Sequence, residues 1–148
     1  MDNLEGVFLT HLRVIDLPNG NVMQVLKQSQ QGFSGFGEAY FSFVNHNVVK
    51  GWKKHIRMTL NVVVPIGEIQ FVLFDAREIS STFRQTSEIA LSPQSNYSRL
   101  TVPPGIWMAF KGIGENTNML LNIASIEHDP SEAESLPIKN SMIPYTFK

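Results

Sequence analysis

Two short segments hold residue types whose spacing can do chemistry: Lys50-Gly-Trp-Lys-Lys-His-Ile-Arg57 and Val102-Pro-Pro-Gly-Ile-Trp-Met108. Residues two apart on an extended strand point to the same side, so Lys53, His55 and Arg57 share a face and set two cations around an imidazole. That grouping suits removal of a proton next to a carbonyl. His55 is the expected base, and Lys53 is the expected cation that stabilises the charge developing on the enolate oxygen. A second group must return the proton. Tyr40 and Tyr97 are the tyrosines in strand positions, and Tyr40 is preferred because its strand precedes that of His55 and is expected to lie beside it.

The elements that must position these groups are strands. β-Branched and aromatic residues come in short runs bounded by Gly, Pro, Asn and Asp. Expected strands cover residues 7–15, 22–27, 38–44, 48–56, 59–64, 68–75, 87–91, 98–102, 106–110 and 119–125. Pro18-Asn-Gly20, Pro65-Ile-Gly67, Ser92-Pro93 and Pro103-Pro-Gly105 supply the fixed or positive φ that tight turns need. Many short strands at this spacing mean an all-β sandwich, jelly roll or barrel. Strand 68–75 has apolar residues on both faces, which predicts burial between two sheets. Asp129-Pro-Ser-Glu-Ala-Glu134 alone reads as helical, with Asp129 as N-cap and Pro130 at the first helical position. The tail from Pro137 to Lys148 is expected to lie extended on the body or on a partner.

Composition bounds the rest. The 148 residues, 43% of them hydrophobic, are one domain's worth and can build a single core, so residues 1–148 read as a single domain. Twelve basic and thirteen acidic residues give a net charge of −1, which offers no global field for nucleic acid or an anionic membrane. The absence of cysteine excludes disulfides, thiolate metal sites and cysteine nucleophiles, and fits a reducing cytoplasm. Met1-Asp-Asn-Leu-Glu-Gly6 lacks the basic and apolar stretches of a leader, and no apolar run approaches the roughly 20 residues that span a bilayer. A cytoplasmic protein is the expectation.

Gly67 and Pro103-x-Gly105 fall at the spacing of the cupin pattern, whose four metal-ligand positions become Lys53, His55, Leu60 and Met108 here. Three of the four cannot hold a divalent metal, so no metal is expected. In detail the chain resembles the metal-free cupins of the dTDP-4-dehydrorhamnose 3,5-epimerase family and its 3,4-ketoisomerase relatives, over about residues 37–138. Lys50-Gly-Trp-Lys53 stands where epimerases carry Arg-Gly-Leu-His, and Lys50 to His55 where ketoisomerases carry Arg-Gly-Phe-His-x-His. Gly67-Glu68, Asp75-Ala-Arg77 and Val102-Pro-Pro-Gly-Ile-Trp-Met-Ala-Phe110 resemble further family motifs. The resemblance implies a cupin-type jelly-roll barrel with one short C-terminal helix. It also implies cofactor-independent epimerisation or isomerisation of a nucleotide-linked keto-deoxysugar for cell-surface polysaccharide, and a homodimer.

The resemblance also locates departures. Lys53 stands at the epimerase base, Met108 at a later pocket histidine, and Asn122 to His128 replace a tyrosine-rich run. On this reading Lys50, Arg57 and Arg99 are candidates for the pyrophosphate, since a guanidinium matches phosphate oxygens in pairs. Tyr97 and Glu38 complete the expected substrate contacts. Two readings compete: a cupin that binds a sugar nucleotide or another anion without turnover, and a metal site displaced to His46, His55 or His128. Lys53, Lys54 and Arg57 also fit a solvated basic edge. Trp52, Trp107 and Met108 read as packing, and Asp75 with Arg77 as a structural ion pair.

Overall fold

A computed structural model describes residues 3–148; Met1 and Asp2, the first residues of the stretch read for a leader, lie outside the described residues. The strands are β1 Phe8–His11, β2 Val14–Ile15, β3 Val22–Met23, β4 Glu38–Phe43, β5 Val49–His55 and β6 Leu60–Ile66. They continue with β7 Ile69–Asp75, β8 Thr86–Leu91, β9 Ser98–Val102, β10 Ile106–Gly112, β11 Met119–Ala124 and β12 Ala133–Ser135. Two antiparallel five-stranded sheets run in the orders β1-β9-β6-β11-β4 and β12-β5-β10-β7-β8, and β2 with β3 forms a separate hairpin. This is the expected all-β jelly roll.

Alternation builds the core. Val62 and Val64 of β6, Leu100 of β9 and Leu120 of β11 meet Ile69, Phe71 and Leu73 of β7 between the sheets. Each such side chain contributes about 1.5–3 kcal/mol by leaving water. The opposite face of β7 carries Val72 and Phe74, which are buried as expected, though by the C-terminal tail rather than by a second sheet. Ile143, Tyr145 and Phe147 of the tail pack with Trp52, Val72 and Trp107 there. The docked tail and the core tryptophans therefore follow the sequence reading.

Three sequence boundaries move for tertiary reasons. Residues 7–15 break into β1 and β2, because Leu12 turns inward onto Val63 and Tyr97 while Val14 and Ile15 pair with β3. Residues 24–27 leave the strand pattern, and the carbonyls of Gln24 and Val25 instead accept bonds from Tyr97 and Arg99. The expected helix shrinks to a single 3-10 turn, Pro130–Glu132, capped by Asp129, whose side chain accepts from the Ser131 amide at 2.9 Å. Ala133 to Ser135 instead pair with His55 to Lys53 as β12, so sheet hydrogen bonds outweigh local helical preference.

Candidate active site

β5 shapes the site. Gly51 has φ +128°, and a Cβ there would come within 2.7 Å of Ala109, so only glycine lets β5 lie this close to β10 at the cavity wall. Lys50, Gly51, Lys53 and His55 line a cavity of about 250 Å³ between the sheets. From the facing sheet come Tyr40 and Ser42 of β4, Leu60 and Val62 of β6, and Leu120 and Asn122 of β11, while Met108 and Phe110 complete the wall. Tyr40 thus lies across the cavity from His55 and Lys53, on the facing sheet rather than next to β5.

His55 is held by an acid 77 residues away. Its Nδ1 hydrogen-bonds Glu132 Oε1, whose residue is 2% exposed. Glu132 Oε2 accepts the amides of Arg57 and Met58 at 3.1 and 3.2 Å. The Ile56 amide donates to the Glu132 carbonyl at 2.8 Å, which ties the 3-10 turn to the end of β5. Burial alone would push the Glu132 carboxyl up, but the bonds from His55 and the two amides outweigh it and hold the carboxyl below its ordinary value. An ionised Glu132 accepts a hydrogen bond from Nδ1–H, which keeps the proton on Nδ1 and leaves Nε2 with its lone pair, the tautomer a base requires. No protein group is hydrogen-bonded to Nε2 among the described residues.

The cations divide by position. Lys53 lines the cavity and has no salt-bridge partner among the described residues. Lys50 Nζ donates to Ser42 Oγ at 3.1 Å and to the Phe43 carbonyl at 2.9 Å, and lies 5.9 Å from the centre of the Phe110 ring. Two of its three protons are used, and one remains for an anion. Lys54 points to the other face, where it pairs with Glu134 and covers Trp107.

Four sequence candidates lie elsewhere. Arg57 does not share the strand face of Lys53 and His55: β5 ends at His55, and the Arg57 guanidinium is exposed beside Asp129 at 3.4 Å. Arg99 is completely buried outside the cavity lining, with bonds to Asn61, Val25, Gln30, Thr10 and Gln31. All five guanidinium protons are used, so none is left for a phosphate. Tyr97 is buried and donates its hydroxyl to the Gln24 carbonyl at 2.8 Å, again away from the cavity. Glu38 begins β4 outside the cavity lining. Among the described residues no group of three His, Cys, Asp or Glu could hold a metal ion, and His46 instead bonds the Ile113 and Gly114 carbonyls.

Two site residues escaped the sequence reading. Glu132 looked like a helix-start acid, and its only local signal was the capped turn that presents it. For Asn122 the sequence offers only its place at the head of the run that replaces a tyrosine-rich segment. Asn122 is 5% exposed, and its Nδ2 donates to the Tyr40 hydroxyl oxygen at 2.7 Å. Its Oδ1 is buried without a partner among the described residues. An orphaned acceptor of this kind costs about 1–3 kcal/mol.

Comparison with known proteins identifies the family and the fold. A family model described as dTDP-4-dehydrorhamnose 3,5-epimerase matches residues 2–145. The crystal structure of a dTDP sugar isomerase from Desulfovibrio desulfuricans G20 is 37% identical, with a TM-score of 0.93 over 97% of this chain and 91% of that one. The probable low-salt glycan biosynthesis epimerase Agl13 of Haloferax volcanii is 25% identical, covering 93% of this chain and 90% of its own. The spore coat polysaccharide biosynthesis protein SpsL of Bacillus subtilis is 22% identical, covering 88% and 86%.

Proposed function

The chain belongs to the dTDP-4-dehydrorhamnose 3,5-epimerase family, and we propose that it epimerises or isomerises a dTDP-linked keto-deoxysugar by proton abstraction next to the ketone, in the making of cell-surface polysaccharide. The observation that carries this reading is the buried Glu132–His55 pair opening onto the same cavity as Lys53. His55 Nε2 removes the proton, Lys53 holds the enolate oxygen, and Tyr40 returns a proton from the facing sheet. A proton taken on one face and returned on the other inverts the carbon.

A 250 Å³ cavity is smaller than the roughly 300–1,000 Å³ of sites that enclose whole drug-sized ligands, so it holds the sugar and leaves the nucleotide at its rim. Lys50, at one end of the cavity with one proton unspent, is the cation for the pyrophosphate. The mechanism draws its base, cation and acid from side chains and asks for no cofactor. Residues 1–148 act as a single cupin-type domain.

We place the protein in the cytoplasm as a homodimer. No helix among the described residues is long and apolar enough to cross a membrane. Phe41 and Phe43, 61% and 56% exposed, project from the face of β4 opposite Tyr40 and Ser42. They lie beside Leu121 and Met119 of β11, and Ile66 of β6 neighbours Met119. This uncharged sheet face suits isologous packing against a second copy. Sedimentation of Phe41→Glu as a monomer is the expected result.

The test of the reaction is solvent deuterium incorporation. Incubation of the protein in D2O with dTDP-4-keto-6-deoxyglucose should label C3 or C5. A folded sample that labels no keto-sugar nucleotide overturns the reading.

A further inference from the structure

Tyr40 and Asn122 stand directly opposite each other in the β4–β11 ladder, and both side chains reach the cavity. An asparagine amide can meet a tyrosine hydroxyl in two ways. If Oδ1 accepts, the phenol proton is consumed; if Nδ2 donates, the proton stays free and the phenol oxygen gains a donor. The structure has the second arrangement, with Nδ2 2.7 Å from the Tyr40 oxygen, and it leaves Oδ1 buried and without a partner among the described residues. Tyr97, by contrast, gives its proton to the Gln24 carbonyl. An unpaired acceptor is unfavourable, and a leucine at 122 would avoid it.

We infer that Asn122 is the positioning residue that makes Tyr40 a proton donor to the substrate. Its N–H turns the phenol oxygen so that the O–H is available to the cavity, and that hydrogen bond strengthens as the oxygen becomes negative during transfer. Asn122 acts through Tyr40, across the cavity from His55, and so affects return of the proton rather than its removal. This rests on the proposed deprotonation by His55.

The experiment compares two readouts on dTDP-4-keto-6-deoxyglucose in D2O: deuterium exchange at the acidic carbon and formation of the inverted sugar. In Asn122→Leu, inversion should fall about 10–100-fold while exchange stays within about threefold of the unmodified protein, because His55 still removes and returns the proton on its own face. Tyr40→Phe should show the same split, and the double variant should be no worse than Tyr40→Phe alone. Asn122→Asp, whose ionised carboxylate can only accept from the phenol, should lose inversion to the same extent and serves if the leucine variant does not fold. Equal loss of exchange and inversion, additive losses in the double variant, or normal inversion in Asn122→Asp would overturn the inference. Absence of exchange in the unmodified protein defeats instead the reading on which it rests.

Discussion

His55 and Arg99 each carry an ionisable side chain that a β-strand holds out of bulk water, His55 at the cavity between the sheets and Arg99 on the outer face of β9 under segment 25–31, and only one of them keeps a hydrogen-bonding group free. His55 has one nitrogen committed to Glu132 and the other open to the cavity. Arg99 has every proton committed to neutral acceptors on β1, β6 and the segment 25–31, and burial pushes its guanidinium down from its ordinary value. One centre keeps a free valence facing space, and the other uses all its valences to pin a loop to the sheet. What separates the proposed base from the structural cation is the unspent hydrogen-bonding capacity.

Replacing His55 is the strongest way to break the contrast. His55→Gln should lower turnover of the keto-sugar nucleotide about 10³–10⁴-fold and abolish deuterium exchange, with little change in thermal midpoint. Arg99→Met should do the reverse. It leaves several buried acceptors without donors, so a loss of about 2–4 kcal/mol in denaturant unfolding is expected, while the folded fraction keeps its kcat within about threefold. A large catalytic defect in Arg99→Met with normal stability would put Arg99 back among the substrate contacts.

Glu132 joins the two behaviours, since it orients the proposed base and also satisfies the Arg57 and Met58 amides. Glu132→Gln should lower kcat about 10²-fold and reduce stability by about 1–2 kcal/mol. The sign of its pH dependence follows from its depressed carboxyl. Stabilisation by Glu132 is complete above the ordinary glutamate value of about 4.3 and is lost as pH falls through the lower folded value. Acid unfolding followed by circular dichroism should therefore be shallower in Glu132→Gln. Some acid sensitivity must persist, because Asp75 behaves alike. Burial would raise its carboxyl, but Arg77, Ser80 and Thr82 hold it well below the usual range.

Much of the fold was legible because strand signals are local. Alternation in residues 68–75 and the Pro-Gly punctuation place β7 and its neighbours nearly to the residue. The shared face of Lys53 and His55 follows from a period of two within one strand, and both reach the same cavity. Arg57 fails the same rule only because β5 stops at His55. The chain resembled its family through these local motifs, and the family assignment followed.

The sequence by itself determined an all-β chain with a lysine and an imidazole on one face of one strand, since each of these depends on residues near one another in the chain. Only the tertiary structure decided which polar groups are spent. Arg99 and Tyr97 lost their expected roles to loop carbonyls some 70 residues away, and His55 and Tyr40 gained partners in Glu132 and Asn122 at separations of 77 and 82. A hydrogen bond depends on distance in space, which no spacing along one chain encodes until the sheets close.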